Sequence, residues 1–195
     1  MRTLCMLAIC SLALGALRTA AQGDKPDYMP LKLGSKWTYH MKLDGQTYAV
    51  TQRVVKLERL GDHDVASLEM EIGAKILTEL YSSSSKGVFA HTCNGVPADP
   101  PLPVLQLPFK KGNSWEGSLP LGGQKFKVTF KADEEEVTVP AGKYKTITVQ
   151  MEGEIMGQKI SARNWFAPNV GMVKQAGELG GNPWTSELVK IELAK

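Results

Sequence analysis

The chain has 195 residues, a formal net charge of +3, 43% hydrophobic and 22% charged residues. That is the composition of an ordinary globular protein, which excludes a disordered tail and allows one domain with a core of its own. With Arg2 and Arg18 set aside as part of a leader, 21 basic residues face 20 acidic ones. This is no footprint for nucleic acid, and no dense Lys/Arg run argues for an anionic membrane surface.

The first element is the leader "MRTLCMLAICSLALGALRTAAQG". Arg2 supplies a basic start, Leu4 to Leu17 an apolar stretch, and Thr19 and Ala21 the small residues of a cleavage site. The reading is a secretory signal peptide over residues 1–21, cut between Ala21 and Gln22, with a mature domain over 22–195. The apolar run is shorter than the roughly 20 residues a bilayer span needs. Cys10 follows Ile9 where a lipid-attachment motif wants a small residue, so a lipoprotein is not expected. The expected location is the periplasm or the exterior, with no transmembrane helix after the leader is removed. Cys93 is then the lone cysteine, which rules out an intramolecular disulfide in the mature chain.

After a polar lead the pattern turns to period two, the signature of half-buried strands. Trp37, Tyr39, Met41 and Leu43 share a face, and Asp44-Gly45 marks a hairpin. Ala66, Leu68, Met70 and Ile72 alternate in the same way. "EIGAKILTELYSS" is also read as strand. "GVPADPPLPVLQLP" is rich in proline, and residues 92–107 are taken as a linker or an edge. Beyond it, Phe126, Val128 and Phe130, then Ile147, Val149 and Met151, alternate, and "TSELVKIEL" closes the chain. The fold class is all-β: an antiparallel curved sheet or half-barrel.

The chain also repeats itself. Pro30 to Thr51 and Pro108 to Thr129, 78 positions apart, share nine identities in 22 positions, among them Gly34/Gly112, Trp37/Trp115 and Gly45/Gly123. About one or two would be expected by chance. A weaker match continues, with Met70 over Met151 and Gly87 over Gly171. The reading is two duplicated β-meander units, about 30–91 and 108–175, each opening on a turn and a core tryptophan. Trp37 and Trp115 are therefore expected on equivalent strands.

Four short motifs bear on chemistry. In "DHD", Asp62 to Asp64, neighbouring side chains on a strand point to opposite faces, so no metal site is assigned. In "HTC", His91 and Cys93 fall on one side of an extended segment, as a histidine-activated thiol would, and a hydrolase using this pair is the least favoured alternative. "SSSS", Ser82 to Ser85, lacks a nucleophile elbow and is taken as a solvated hairpin loop. "DEEE", Asp133 to Glu136, is taken as a solvated strand start. No catalytic, cofactor-binding or metal-binding residue is assigned.

"YMPLKLGSKWTY", "LPFKKGNSW", "VTVPAGKYKT" and "WFAPNVGMVK", in that order, resemble a family of uncharacterised exported bacterial proteins related to the domain of unknown function 3108 group, also called TapB-like. The resemblance implies an all-β envelope or secreted protein and brings no catalytic residues. Its motif positions, Trp37, Trp115, Pro140, Gly142, Trp165, Pro168 and Gly171, are structural. The expected function is non-enzymatic binding of an apolar small molecule or an envelope protein on a curved sheet. A structural or protein-interaction module of the envelope is the alternative.

Overall fold

The alternating segments are strands, and each Gly- or Asn-containing break between them is a turn. The computed structural model describes residues 25–194; the leader and its cleavage site at Ala21 and Gln22 lie outside them. The first six strands are β1 (Lys36–Leu43), β2 (Gln46–Leu60), β3 (His63–Ile72), β4 (Lys75–Ser84), β5 (Gly87–Cys93) and β6 (Val96–Gln106). The second six are β7 (Ser114–Leu121), β8 (Gln124–Val139), β9 (Gly142–Ile155), β10 (Gln158–Ala167), β11 (Gly171–Leu179) and β12 (Asn182–Glu192).

They form one antiparallel sheet in the order β6-β5-β4-β3-β2-β1-β12-β11-β10-β9-β8-β7. Sequence neighbours pair throughout each half, and β1 pairs with β12 along its whole length. The meander therefore curls into a nearly closed barrel. Its seam lies between β6 and β7, which stand side by side without a shared ladder. Side chains seal that seam. The Trp115 indole donates to the Pro103 carbonyl at 2.7 Å, and the Lys125 ammonium donates to the Asp99 carbonyl. Gly117 lets Leu102 approach so closely that an added Cβ would sit 2.6 Å from Leu102 Cδ1.

Residues 92–107 are thus not a linker. Thr92 and Cys93 end β5, and the proline-rich stretch is β6, paired with β5. Pro97, Pro100, Pro101 and Pro103 lack an N–H, and an edge strand has one side on which no donor is required. The prolines mark where the sheet stops.

The repeat is visible in the first hairpin of each half. Trp37 pairs with Gln52 and Leu43 with Gln46; Trp115 pairs with Phe130 and Leu121 with Gln124, the same register 78 residues on. Gly34 N donates to Val54 O at 2.9 Å and Gly112 N to Ala132 O at 2.8 Å. Both glycines hold positive φ, +87° and +78°, a conformation that excludes most side chains. Beyond the hairpin the halves diverge. β2 and β3 slip register between Val54 and Lys56, whereas β8 and β9 pair without a break.

Period-two alternation turns one face of the sheet inward, and that interior is filled by its own side chains. Trp37, Phe130, Leu105, Leu188, Val149 and Val173 are each almost wholly buried there. Asp44-Gly45, Asn94-Gly95, Gly122-Gly123 and Gly180-Gly181 turn the chain at one end of the barrel. At the other end the N-terminal segment clasps both halves. Asp27 N donates to Asn169 Oδ1 at 3.0 Å and Asn169 N returns a bond to Asp27 O, while Ser83 Oγ donates to the Asp27 carboxylate at 2.9 Å.

Candidate functional site

Three motifs that are separate in sequence meet at this clasped end. The register sets their directions. Tyr81 pairs with Ala90 on the core face, so Ser82, opposite Phe89, turns to the other face. His91 follows Phe89 on that face, and His63 joins it from the start of β3. An open groove of about 650 Å³ runs between them, lined by His63, Asp64, Ser82, Phe89, His91 and the Pro100–Pro101 pair.

Ser82 Oγ and His91 Nε2 share a hydrogen bond of 2.9 Å, and the His63 ring stands edge-on to His91 with centroids 5.2 Å apart. His91 is only 4% exposed and Ser82 8%, so both lie just beneath the groove surface. Burial, aided by His63, holds the His91 imidazole below its ordinary pKa and favours its neutral form. A neutral imidazole bonded to a serine is half of a nucleophilic arrangement. Here, however, Ser82 occupies a regular ladder position, and its neighbours Tyr81 and Ser83 are paired with Ala90 and Val88.

The serine run is therefore not a solvated loop: Ser82 to Ser84 belong to β4, and Ser82 is buried. The expectation for His91 and Cys93 also changes. A register shift between Ala90 and Thr92 breaks the alternation that would have placed both on one side. His91 takes Ser82 as its partner, whereas Cys93 neighbours buried Glu79. Burial and the Glu79 charge push the Cys93 thiol up to about 11, which disfavours the thiolate a nucleophile needs. Glu79 is held by the Thr92 hydroxyl at 2.5 Å and by Gly95 N at 3.3 Å. Cys93 is free and half-buried.

The acidic motifs resolve into pairs. Asp64 meets Arg59 at 3.7 Å, and no group of three or more His, Cys, Asp or Glu suited to a metal occurs among the described residues. Asp133 pairs with Lys111 at 3.1 Å and Glu136 with Lys143 at 2.6 Å. Glu135 does more than meet solvent: it accepts a 3.1 Å bond from the Trp165 indole and lies 3.6 Å from Arg163. The sequence carried no sign of the His63–Ser82–His91 cluster as a unit, because it depends on the pairing of three strands.

The class is an all-β, nearly closed meander, and two solved structures share it. One is a protein inferred to be exported, with a YmcC-like fold, from Bacteroides fragilis. It matches with a TM-score of 0.51 at 15% identity, over 87% of this chain and 100% of its own. The other, inferred to be a lipoprotein, is from Parabacteroides distasonis, with a TM-score of 0.50 at 12% identity and the same coverage. At such identities the likeness is one of fold. Residues 127–177 match the DUF3108-like family model, so the chain is similar to that family, as its motifs suggested. The matched span holds "VTVPAGKYKT" and "WFAPNVGMVK". No curated protein matches the sequence. No helix among the described residues is long and apolar enough to cross a membrane. The fold is shared with a protein inferred to be a lipoprotein, so it gives no ground for setting a lipid anchor aside.

Proposed function

We propose that the protein is an exported, non-enzymatic envelope protein that engages a protein partner at the clasped end of its barrel. The observation that carries this is the convergence of His63, Ser82 and His91 with Phe89, Pro100 and Pro101 in one open groove. It combines rigid apolar surface with hydrogen-bonding groups held by strands, the mixture found where partners dock. Two further grooves of about 570 and 560 Å³ adjoin it through Ser83 and extend the surface past Leu57 and Phe109. The filled interior speaks against enclosing a ligand in the barrel. Photo-crosslinking in cells from position 89, with position 156 at the opposite end as control, tests the reading. One dominant adduct from 89 alone is expected; an uncrosslinked monomer would sink it.

Binding of an apolar ligand is the second reading, and a specific observation favours it. Toward the far end, Tyr48 and Leu77 continue the core-facing rows of Met41 and Met70 yet are 36% and 40% exposed. Native mass spectrometry of protein purified from its own envelope, against delipidated protein, tests this. A bare mass and no uptake of apolar probes would count against it.

A further inference from the structure

The chain holds one Asn-Gly step, Asn94-Gly95, and it forms the turn between β5 and β6. Such a step carries its own chemistry. The glycine nitrogen, with no side chain beside it, can attack the asparagine side-chain carbonyl. The new N–C bond expels ammonia and closes a succinimide ring. Water then opens the ring at either carbonyl and leaves aspartate or isoaspartate. For the attack to occur, the nitrogen must give up its proton, and the peptide between the two residues must rotate toward the side chain.

Both requirements meet an obstacle here. Cys93 pairs with Val96, so Asn94 and Gly95 alone make the turn, at φ 51° and 73°. In a two-residue turn of this kind the N–H of the second residue has no ladder partner. Gly95 N donates instead to Glu79 Oε1 at 3.3 Å. Glu79 is itself fixed: the Thr92 hydroxyl donates to Oε2 at 2.5 Å and accepts from Leu80 N at 2.8 Å. Glu79 is buried, whereas Asn94 and Gly95 are open to water. A carboxylate is far too weak a base to remove an amide proton. As a charged acceptor it holds that proton on the nitrogen and the peptide in its plane.

The molecule contains a matched turn for comparison. Leu43 pairs with Gln46, and Asp44-Gly45 turns the chain between them at φ 50° and 74°. Glu79, engaged at Thr92 and Gly95, does not serve it.

We propose that Asn94-Gly95 is a latent deamidation site kept intact by Glu79. Its place in the fold gives it consequence, because β5–β6 is the hairpin that borders the seam. Isoaspartate at position 94 would lengthen the turn backbone by one carbon and set a second carboxylate near Glu79.

The test ages the mature chain carrying Asp44→Asn, which puts an unguarded Asn-Gly step in the same kind of turn. Peptide mass spectrometry at mildly alkaline pH then separates asparagine, aspartate and isoaspartate. In the folded chain, position 44 should convert about tenfold faster than Asn94, the effect of one hydrogen bond to a charged group. In urea, where neither turn persists, the two should convert at matching rates. Glu79→Gln keeps the shape and weakens the acceptor. It should quicken Asn94 several-fold while position 44 and circular dichroism stay unchanged. Equal rates at both positions in the folded chain would overturn the proposal. Slower conversion of Asn94 in Glu79→Gln would make the carboxylate a promoter, and an unchanged rate would assign the protection to the turn alone; either result overturns the role of Glu79. Should Glu79→Gln fail to fold, amide exchange in the unaltered chain decides. Gly95 N–H should exchange about tenfold more slowly than Gly45 N–H, and equal exchange would sink the idea.

Discussion

The hairpins β1–β2 and β7–β8 are built alike and used differently. Both open on a positive-φ glycine, place a tryptophan second in the strand and keep one register. Trp37, however, lies in the middle of the continuous ladder. Its indole donates 2.7 Å to Val170 O, at the turn before β11. Trp115 lies at the free margin, stacks on Phe130 at 5.5 Å and donates to Pro103 across the seam. Where Phe130 stands in the second hairpin, the first has Gln52. Local sequence fixes the hairpin; position in the closed sheet decides whether its tryptophan anchors the core or seals an edge.

Trp37→Ala should have the largest effect. It removes a nearly fully buried indole and its hydrogen bond, and urea unfolding should show a loss of about 4–5 kcal/mol. A loss under about 2 kcal/mol would erase the distinction between anchor and seal.

Gly87→Ala comes next. Gly87 and Gly171 are matched by the repeat, and both hold positive φ. An added Cβ at Gly87 would sit 1.9 Å from Leu105 O, in the backbone of β6, whereas at Gly171 it meets Trp37 Nε1 at 3.3 Å. Gly87→Ala should cost at least about 3 kcal/mol and Gly171→Ala about 1–2. The reverse order would show that the two halves tolerate change for reasons other than their packing.

Trp115→Phe keeps an aromatic ring on Phe130 and removes the bond to Pro103. The expected loss is about 1 kcal/mol, with amide exchange quickening in β6 and β7 but not in β1. Equal quickening in β1 would mean that Trp115 is not specific to the seam. The smallest effect is expected at Lys127→Ala, which breaks the exposed 2.7 Å pair with Glu116 in the second hairpin. A change under about 0.5 kcal/mol is expected, and a larger one would reveal a charge network that this hairpin has and β1–β2 lacks.

Much of the fold was legible because a strand's inward face repeats every second residue. The sets containing Tyr39, Leu68, Phe130 and Val149 were identified on that ground, and all four residues lie in the core. The Asp44-Gly45 turn was legible because both of its residues must take positive φ, as they do at 50° and 74°. The serine run misled, since hydroxyls are common in loops and equally at home on the outer face of a strand. His91 and Cys93 misled for another reason: one register shift in β5 reverses which residues share a side, and no composition signals it. The proline-rich stretch was read as a linker or an edge because proline cannot donate to a central ladder; the edge is what the sheet order shows.

The sequence by itself determined the alternating strands, the Asp44-Gly45 turn and the repeated hairpin, because these depend on residues close along the chain. It also carried the family resemblance in its motifs. The tertiary structure alone decided that the meander closes through β1 and β12 and stops at β6 and β7. It decided that the interior is filled, and that His63, Ser82 and His91 meet. Those outcomes come from pairing between distant strands, whose register is set by the packing of the whole sheet.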